Sequence, residues 1–168
     1  MPNWCQNILK ISGPEEAMKA FLKIAEDRKF CLETYYPYET PDGEWDYGWC
    51  VRHWGTKWDV SEHGSVFMGA PGADAPESST YMMTYLRAKK VEDEPYLETS
   101  IRFLTAWGPP SEGIQTIGVR NPALSFELIY FEAGHGYAGI LTVAQGGEYM
   151  KELEPEAAVE QFGFEYAF

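Results

Sequence analysis

Two indoles, an ammonium and a carboxylate fall within six consecutive residues, Trp54-Gly55-Thr56-Lys57-Trp58-Asp59. Opposite charges beside aromatic plates are what a small polar ligand needs, because the plates bury its body and the charges orient it. Trp107, Tyr130 and Glu132 from later segments complete this candidate ligand or partner pocket. Trp107-Gly108-Pro109-Pro110-Ser111 forms its rim, next to a helix start whose free amides can hold an anion. The same residues also have a purely structural reading. On a strand, Trp54, Thr56 and Trp58 share a core-facing side while Lys57 and Asp59 point to water. Gly55 then allows a bulge or a close approach of backbone, and Trp107 to Ser111 is a rigid, capped strand-to-helix turn.

Other chemistry is thinner. Glu62-His63 with Asp59, and Glu132 with His135, imitate carboxylate–imidazole pairs, but neither comes with a nucleophile elbow, so no catalytic residue is assigned. Cys50-Val51-Arg52-His53, with Cys5, Cys31 and His63, supplies zinc-ligand residue types without zinc-site spacing, so no metal is expected. Gly134, Gly136 and Gly139 lie between two strands rather than between a strand and a helix, and no Walker loop is present, so no nucleotide cofactor is expected.

The carboxylates outnumber the cations 26 to 13, for a net charge of −13. Such a field repels phosphate backbones and anionic membranes, which argues against direct nucleic-acid binding. It suits a protein partner with a basic surface. The candidate acidic surface comprises Glu39, Asp42, Glu44 and Asp46, then Glu92, Asp93 and Glu94, then Glu152, Glu154 and Glu156. Carboxylates spaced in this way could imitate DNA phosphates; they could equally be solvated loops that keep the chain soluble.

Period-two alternation marks strands over 4–11, 81–86, 96–107, 124–132 and 137–145, and a further strand is expected near 49–53. Ser12-Gly13-Pro14-Glu15 has the form of a helix start, with Met18, Phe21, Leu22 and Ala25 as the apolar stripe and an end near 27–29. Ser111 caps a second short helix carrying Ile114 and Ile117. Residues 149–161 read as a helix, and Phe162, Phe164, Tyr166 and Phe168 as an edge strand or a docking segment. An aromatic fraction of 15% points to a sheet-rich core.

The expected fold is α+β: a ferredoxin-like (split βαβ) antiparallel sheet with two helices on one face. An aromatic-rich insertion occupies about 30–80 of a domain spanning 1–147, and an acidic tail at 148–168 docks on it. Three cysteines without framework spacing, no leader and no apolar run of membrane length place the expected protein in the cytoplasm.

Four pieces occur together in order: Met1-Pro2-Asn3-Trp4-Cys5-Gln6-Asn7, the Trp54 to Asp59 segment, Phe103-Leu104-Thr105-Ala106-Trp107-Gly108-Pro109-Pro110, and Tyr130-Phe131-Glu132-Ala133-Gly134 with Gly139. Over about residues 1–145 the chain resembles the YubB-like ferredoxin-like family of phages, plasmids and bacterial genomes. His53 stands where that family commonly has Asn. The resemblance implies the ferredoxin-like fold, a mobile-element origin and a bacterial host cell, and no reaction. The expected function is a non-enzymatic interaction protein, in its sharper form an acidic inhibitor or nucleic-acid mimic acting on a host defence or nucleic-acid-handling protein. The alternative is a small-ligand-binding protein or hydrolase using the Trp/Lys/Asp pocket.

Overall fold

The computed structural model describes residues 3–24, 30–60, 89–91 and 94–166. Strand β1 (Trp4–Pro14) runs directly into α1 (Glu15–Ile24), and α2 (Leu32–Tyr35) and α3 (Tyr47–His53) follow. The order continues β2 (Lys89–Val91), β3 (Glu94–Ala106), α4 (Ser111–Arg120), β4 (Ser125–Glu132), β5 (Tyr137–Ala144), β6 (Gly147–Leu153) and α5 (Pro155–Phe162). The fold is α+β, and its strands form one sheet in the order β2-β3-β1-β4-β5-β6, with every neighbouring pair antiparallel.

Alternation along the strands sorts the apolar residues onto two faces. Cys5, Leu9 and Ile11 of β1, Ile101 and Phe103 of β3, Phe126 and Leu128 of β4, and Leu141 and Val143 of β5 belong to the main core. Met18 and Phe21 of α1 and Ile114 and Ile117 of α4 close that side, so both helices lie over one face. The opposite face carries Ile8, Ile129, Phe131 and Ala138, covered by Ala158 of α5 and by Phe164. Gln6 ties the covering segment down by exchanging two hydrogen bonds with the Glu165 backbone, at 2.6 and 3.1 Å. The Arg102 guanidinium donates to the carbonyls of Phe162 and Gly163.

Several local expectations change. Residues 47–53 form a helix, not a strand. The Asp46 carboxylate accepts from Trp49 N at 2.6 Å, a strong N-cap, and Trp49, Cys50 and Trp54 then turn inward at helical spacing. Ser12 does not cap α1; it stays in the ladder opposite Glu98 and Ser125. Ser111 is the first residue of α4, and Pro110 occupies the cap position. Residues 147–153 are a sixth strand, because Gln145 and Gly146 both take positive φ (50° and 76°) and make a two-residue hairpin. The helix expected over 149–161 therefore starts only at Pro155. The aromatic C-terminal alternation docks through Phe164, which packs on Phe131, and adds no strand among its described residues. The strand expected over 81–86, the end of the first helix near 27–29, and Phe168 lie outside the described residues.

Candidate functional site

The segment from Trp54 to Asp59 leaves α3 as irregular chain, and its members divide into anchors and surface groups. Trp54 is fully buried. Its Nε1 donates to Tyr36 O at 3.0 Å, and its ring meets Trp49 edge-on and lies beside Tyr38. Gly55 takes φ 82°, and a Cβ there would strike the Glu112 carboxylate and lie 3.1 Å from Pro109 O. Only glycine lets this backbone touch the start of α4, where Gly113 N donates to Trp54 O at 3.3 Å. Thr56 is buried and donates to Ala106 O at 2.9 Å, joining the segment to the end of β3.

Asp59 does not point to water. Its Oδ1 accepts from Leu32 N and Val60 N, both at 2.7 Å, and its Oδ2 from Glu33 N at 3.0 Å. It therefore holds the first turn of α2, whose preceding residue Cys31 gives no side-chain cap. Burial pushes the Asp59 carboxyl above its ordinary value, against the three backbone donors that lower it.

The other members come together at the surface. Lys57 Nζ sits 4.6 Å from the Trp58 ring centre and 4.7 Å from that of Trp107, an ammonium between two indole faces. Trp4 borders Trp58 at 6.4 Å, Tyr47 meets Trp107 edge-on at 6.0 Å, and Trp45 Nε1 donates to Lys57 O at 3.3 Å. Trp45, Tyr47 and Trp107 remain 49%, 45% and 44% exposed, which is unusual for three large rings in one neighbourhood.

Trp107 carries a further oddity. It lies beyond β3, not on the core face of that strand, and its φ is 73°, a conformation that costs a non-glycine residue about 1–2 kcal/mol. Neighbours impose it. Trp107 N donates to Asn3 O at 2.8 Å, and Tyr137 Oη donates to Trp107 O at 2.9 Å. Thr105 Oγ1 donates to Gly108 O at 2.7 Å, and Thr56 holds Ala106 O. The strained backbone is thus held by four hydrogen bonds, with the indole left partly exposed. Replacing Trp107 by Gly is expected to leave unfolding free energy within about 1 kcal/mol of the parent in urea titrations, since relief of strain offsets the lost Lys57 stacking.

Tyr130 and Glu132 lie inside the sheet's main face, next to Cys5, which pairs with Glu132 across the β1–β4 ladder. Glu132 is 1% exposed. Its two oxygens accept from Gly134 N at 2.7 Å and His135 N at 2.8 Å, and His135 Nδ1 lies 2.7 Å away. The carboxylate thus shapes the β4–β5 turn. Burial, then the Glu132 charge, drives the Cys5 thiol far above its ordinary value, so it remains an inert thiol. Tyr137, pushed up first by its own burial, links this region to Trp107 through its hydroxyl. His53 is packed as well, stacked on Trp49 at 4.5 Å and hydrogen-bonded to Tyr36 Oη at 2.8 Å. Among the described residues no three His, Cys, Asp or Glu side chains converge as a metal site would require, and no helix is long and apolar enough to cross a membrane. His63 and Glu62 lie outside the described residues.

Of the candidate acidic surface, Glu39, Asp42, Glu44 and Asp46 stand exposed on the loop before α3, on the helical side of the sheet. Glu152, Glu154 and Glu156 are exposed on β6 and at the start of α5, which covers the other face. Glu92 and Asp93 lie outside the described residues, and of Glu94 only its place at the start of β3 is described. Sequence reasoning missed the exposure of Trp45 and Tyr47. The signal was their place on either side of Asp46: flanking an N-cap, they precede the buried turn of the helix.

No family model, curated protein or solved structure matches the chain.

Proposed function

We propose that the chain is a non-enzymatic interaction protein that engages a protein partner through the surface built by Trp45, Tyr47, Trp107 and the Lys57 sandwich, flanked by the carboxylates of the 39–46 loop. The observation that carries this reading is the strained, pinned and exposed Trp107. Exposed tryptophan and tyrosine on a rigid frame are the residues that dominate protein–protein affinity. The nearby carboxylates select a partner with a basic surface and speed its approach. Asp59 and Glu132, the carboxylates that an enzyme would use, are both committed to backbone amides, which favours binding over chemistry.

The scaffold of this reading is a ferredoxin-like core. It is supported by the strand order β2-β3-β1-β4, with α1 and α4 as the crossovers on one face. β5, β6 and α5 extend that core. The four sequence pieces shared with the YubB-like family favour a phage or plasmid origin and action in the cytoplasm of a bacterial host. The sharper form, mimicry of nucleic acid toward a host defence or nucleic-acid-handling protein, rests on the acidic surplus.

Affinity purification from a bacterial lysate tests the reading. A partner is expected to be retained by the parent bait and lost from a bait carrying Trp107→Ala and Tyr47→Ala, with both baits folded by circular dichroism. Retention should fall steeply between about 0.05 M and 0.5 M salt if charge steers the encounter. Retention that ignores both the aromatic substitutions and salt would sink the reading, and salt-insensitive retention alone would remove mimicry.

A further inference from the structure

Beside the aromatic surface lies an open cleft of about 450 Å³, lined by Glu39, Thr40, Pro41, Asp42, Trp45, Asp46, Trp49 and Arg52. Its size falls within the range of ligand sites. Two indoles contribute to its walls, one of them half-exposed, and three carboxylates meet there against one guanidinium, a formal balance of −2. The floor is built from fixed parts. Asp46 caps α3, and Trp49 is buried against Tyr36, Tyr38 and Trp54. The rim is fixed too: Asp42 Oδ1 accepts from Glu44 N at 3.1 Å, and Thr40 Oγ1 donates to Glu44 O at 2.9 Å. The Glu44 amide, and then the amide of Asp42 itself, hold the Asp42 carboxyl below its ordinary value.

We propose that this cleft receives an arginine side chain presented by an extended, basic segment of the partner protein. A planar guanidinium lies flat on an indole face while its edge donates two parallel hydrogen bonds to carboxylates; an ammonium also sits over a ring but lacks that flat fork. The protein already holds one guanidinium in this way: that of Arg120 lies 4.4 Å from the Tyr36 ring centre and 3.4 Å from a Glu39 oxygen. The groups facing the cleft beyond its carboxylates are Arg52 within it and Arg120, whose guanidinium is 3.4 Å from Glu39. An incoming arginine therefore competes with Arg120 for Glu39, shares the cleft with Arg52, and meets Asp42 and Asp46, each of which already accepts from a backbone amide. Charge complementarity picks the occupant. A chain with a net charge of −13 draws basic segments, and here its carboxylates and an exposed indole share one concavity.

The test uses the full chain and two unstructured nine-residue peptides, one alternating arginine with glycine and serine, the other with lysine in every arginine position, plus spermidine as a free polyamine. Binding is read by calorimetry and by tryptophan fluorescence at low salt. The arginine peptide is expected to bind at least tenfold more tightly than the lysine peptide or spermidine. Glu39→Gln with Asp42→Asn, or Trp45→Ala alone, should weaken it at least tenfold. Asp42→Asn keeps an oxygen acceptor for Glu44 N, and Asp46 is left in place to cap α3. Glu152→Gln with Glu156→Gln removes the same charge elsewhere and should change affinity less than twofold. Equal weakening by the two charge pairs would show attraction to net charge alone and overturn the proposal, as would equal binding of the three probes or no binding at all. The proposal rests on the partner-binding reading above, yet the two fail separately. A lysate partner that depends on Trp107 while the cleft ignores the arginine peptide keeps that reading and ends this one.

Discussion

Trp54→Ala is expected to lower the unfolding free energy by about 4 kcal/mol, the cost of emptying a fully buried indole site. The indole is fully buried at the join of three parts: the 36–38 segment, α3 and the start of α4. Removing it leaves a cavity walled by Trp49 and Tyr38, which are themselves tied into the aromatic layer and cannot collapse freely. Trp54→Phe should cost less, about 1–3 kcal/mol, mainly because Tyr36 O loses its donor. Urea denaturation followed by far-ultraviolet circular dichroism measures both. A loss below about 1 kcal/mol for the alanine variant would mean that the ring is not the keystone described, and would restore it as a pocket wall.

Asp59→Ala should cost about 3 kcal/mol, because Leu32 N, Glu33 N and Val60 N lose their acceptor together and α2 loses the group that orders its first turn. Lys57→Ala, two residues away, should cost about 1 kcal/mol or less, since it removes only a partly exposed cation–aromatic contact. Had the two residues formed a charged pair around a ligand, the substitutions would instead give similar, small losses of stability. Asp59 also sets a pH dependence whose sign follows from its raised folded-state value. Below the ordinary aspartate value the group is protonated in both states and carries no penalty. As pH rises from there through the folded-state value, the unfolded chain ionises first, so stability is lost. The parent should therefore gain stability relative to Asp59→Asn on acidification from neutral pH toward pH 4, with the comparison made variant against parent to cancel the other titrating groups. A difference that shrinks on acidification would contradict the burial that raises the group.

What could be read from the residues was the sheet. Thr99, Ile101, Phe103 and Thr105 alternate inward in β3 as their spacing requires, and β1, β4 and β5 follow the same rule. α4 was legible from Ile114 and Ile117 between proline breaks. The aromatic stretch around Trp49 was not. Its rings have strand propensity, and the decisive information was one carboxylate, Asp46, poised to accept from Trp49 N. β6 was hidden for the opposite reason, since Glu, Met, Lys and Leu are good helix formers and the strand is fixed by the Gln145-Gly146 hairpin and by pairing with β5. At the site, Lys57, Trp58 and Trp107 could be grouped from the sequence. The inward turn of Asp59 could not, because its three amide partners include two that lie 26 and 27 residues earlier in the chain.

β1 occupies the middle of the sheet, yet its two neighbours begin at Glu94 and Ser125. During synthesis β1 therefore leaves the ribosome long before either neighbour and must wait, unpaired on both edges, for them to follow. High contact order of this kind slows folding and leaves an apolar ribbon open to wrong partners in the meantime. The timing of synthesis, and the chaperones that shield an unpaired nascent strand, are thus part of how this molecule reaches its native form.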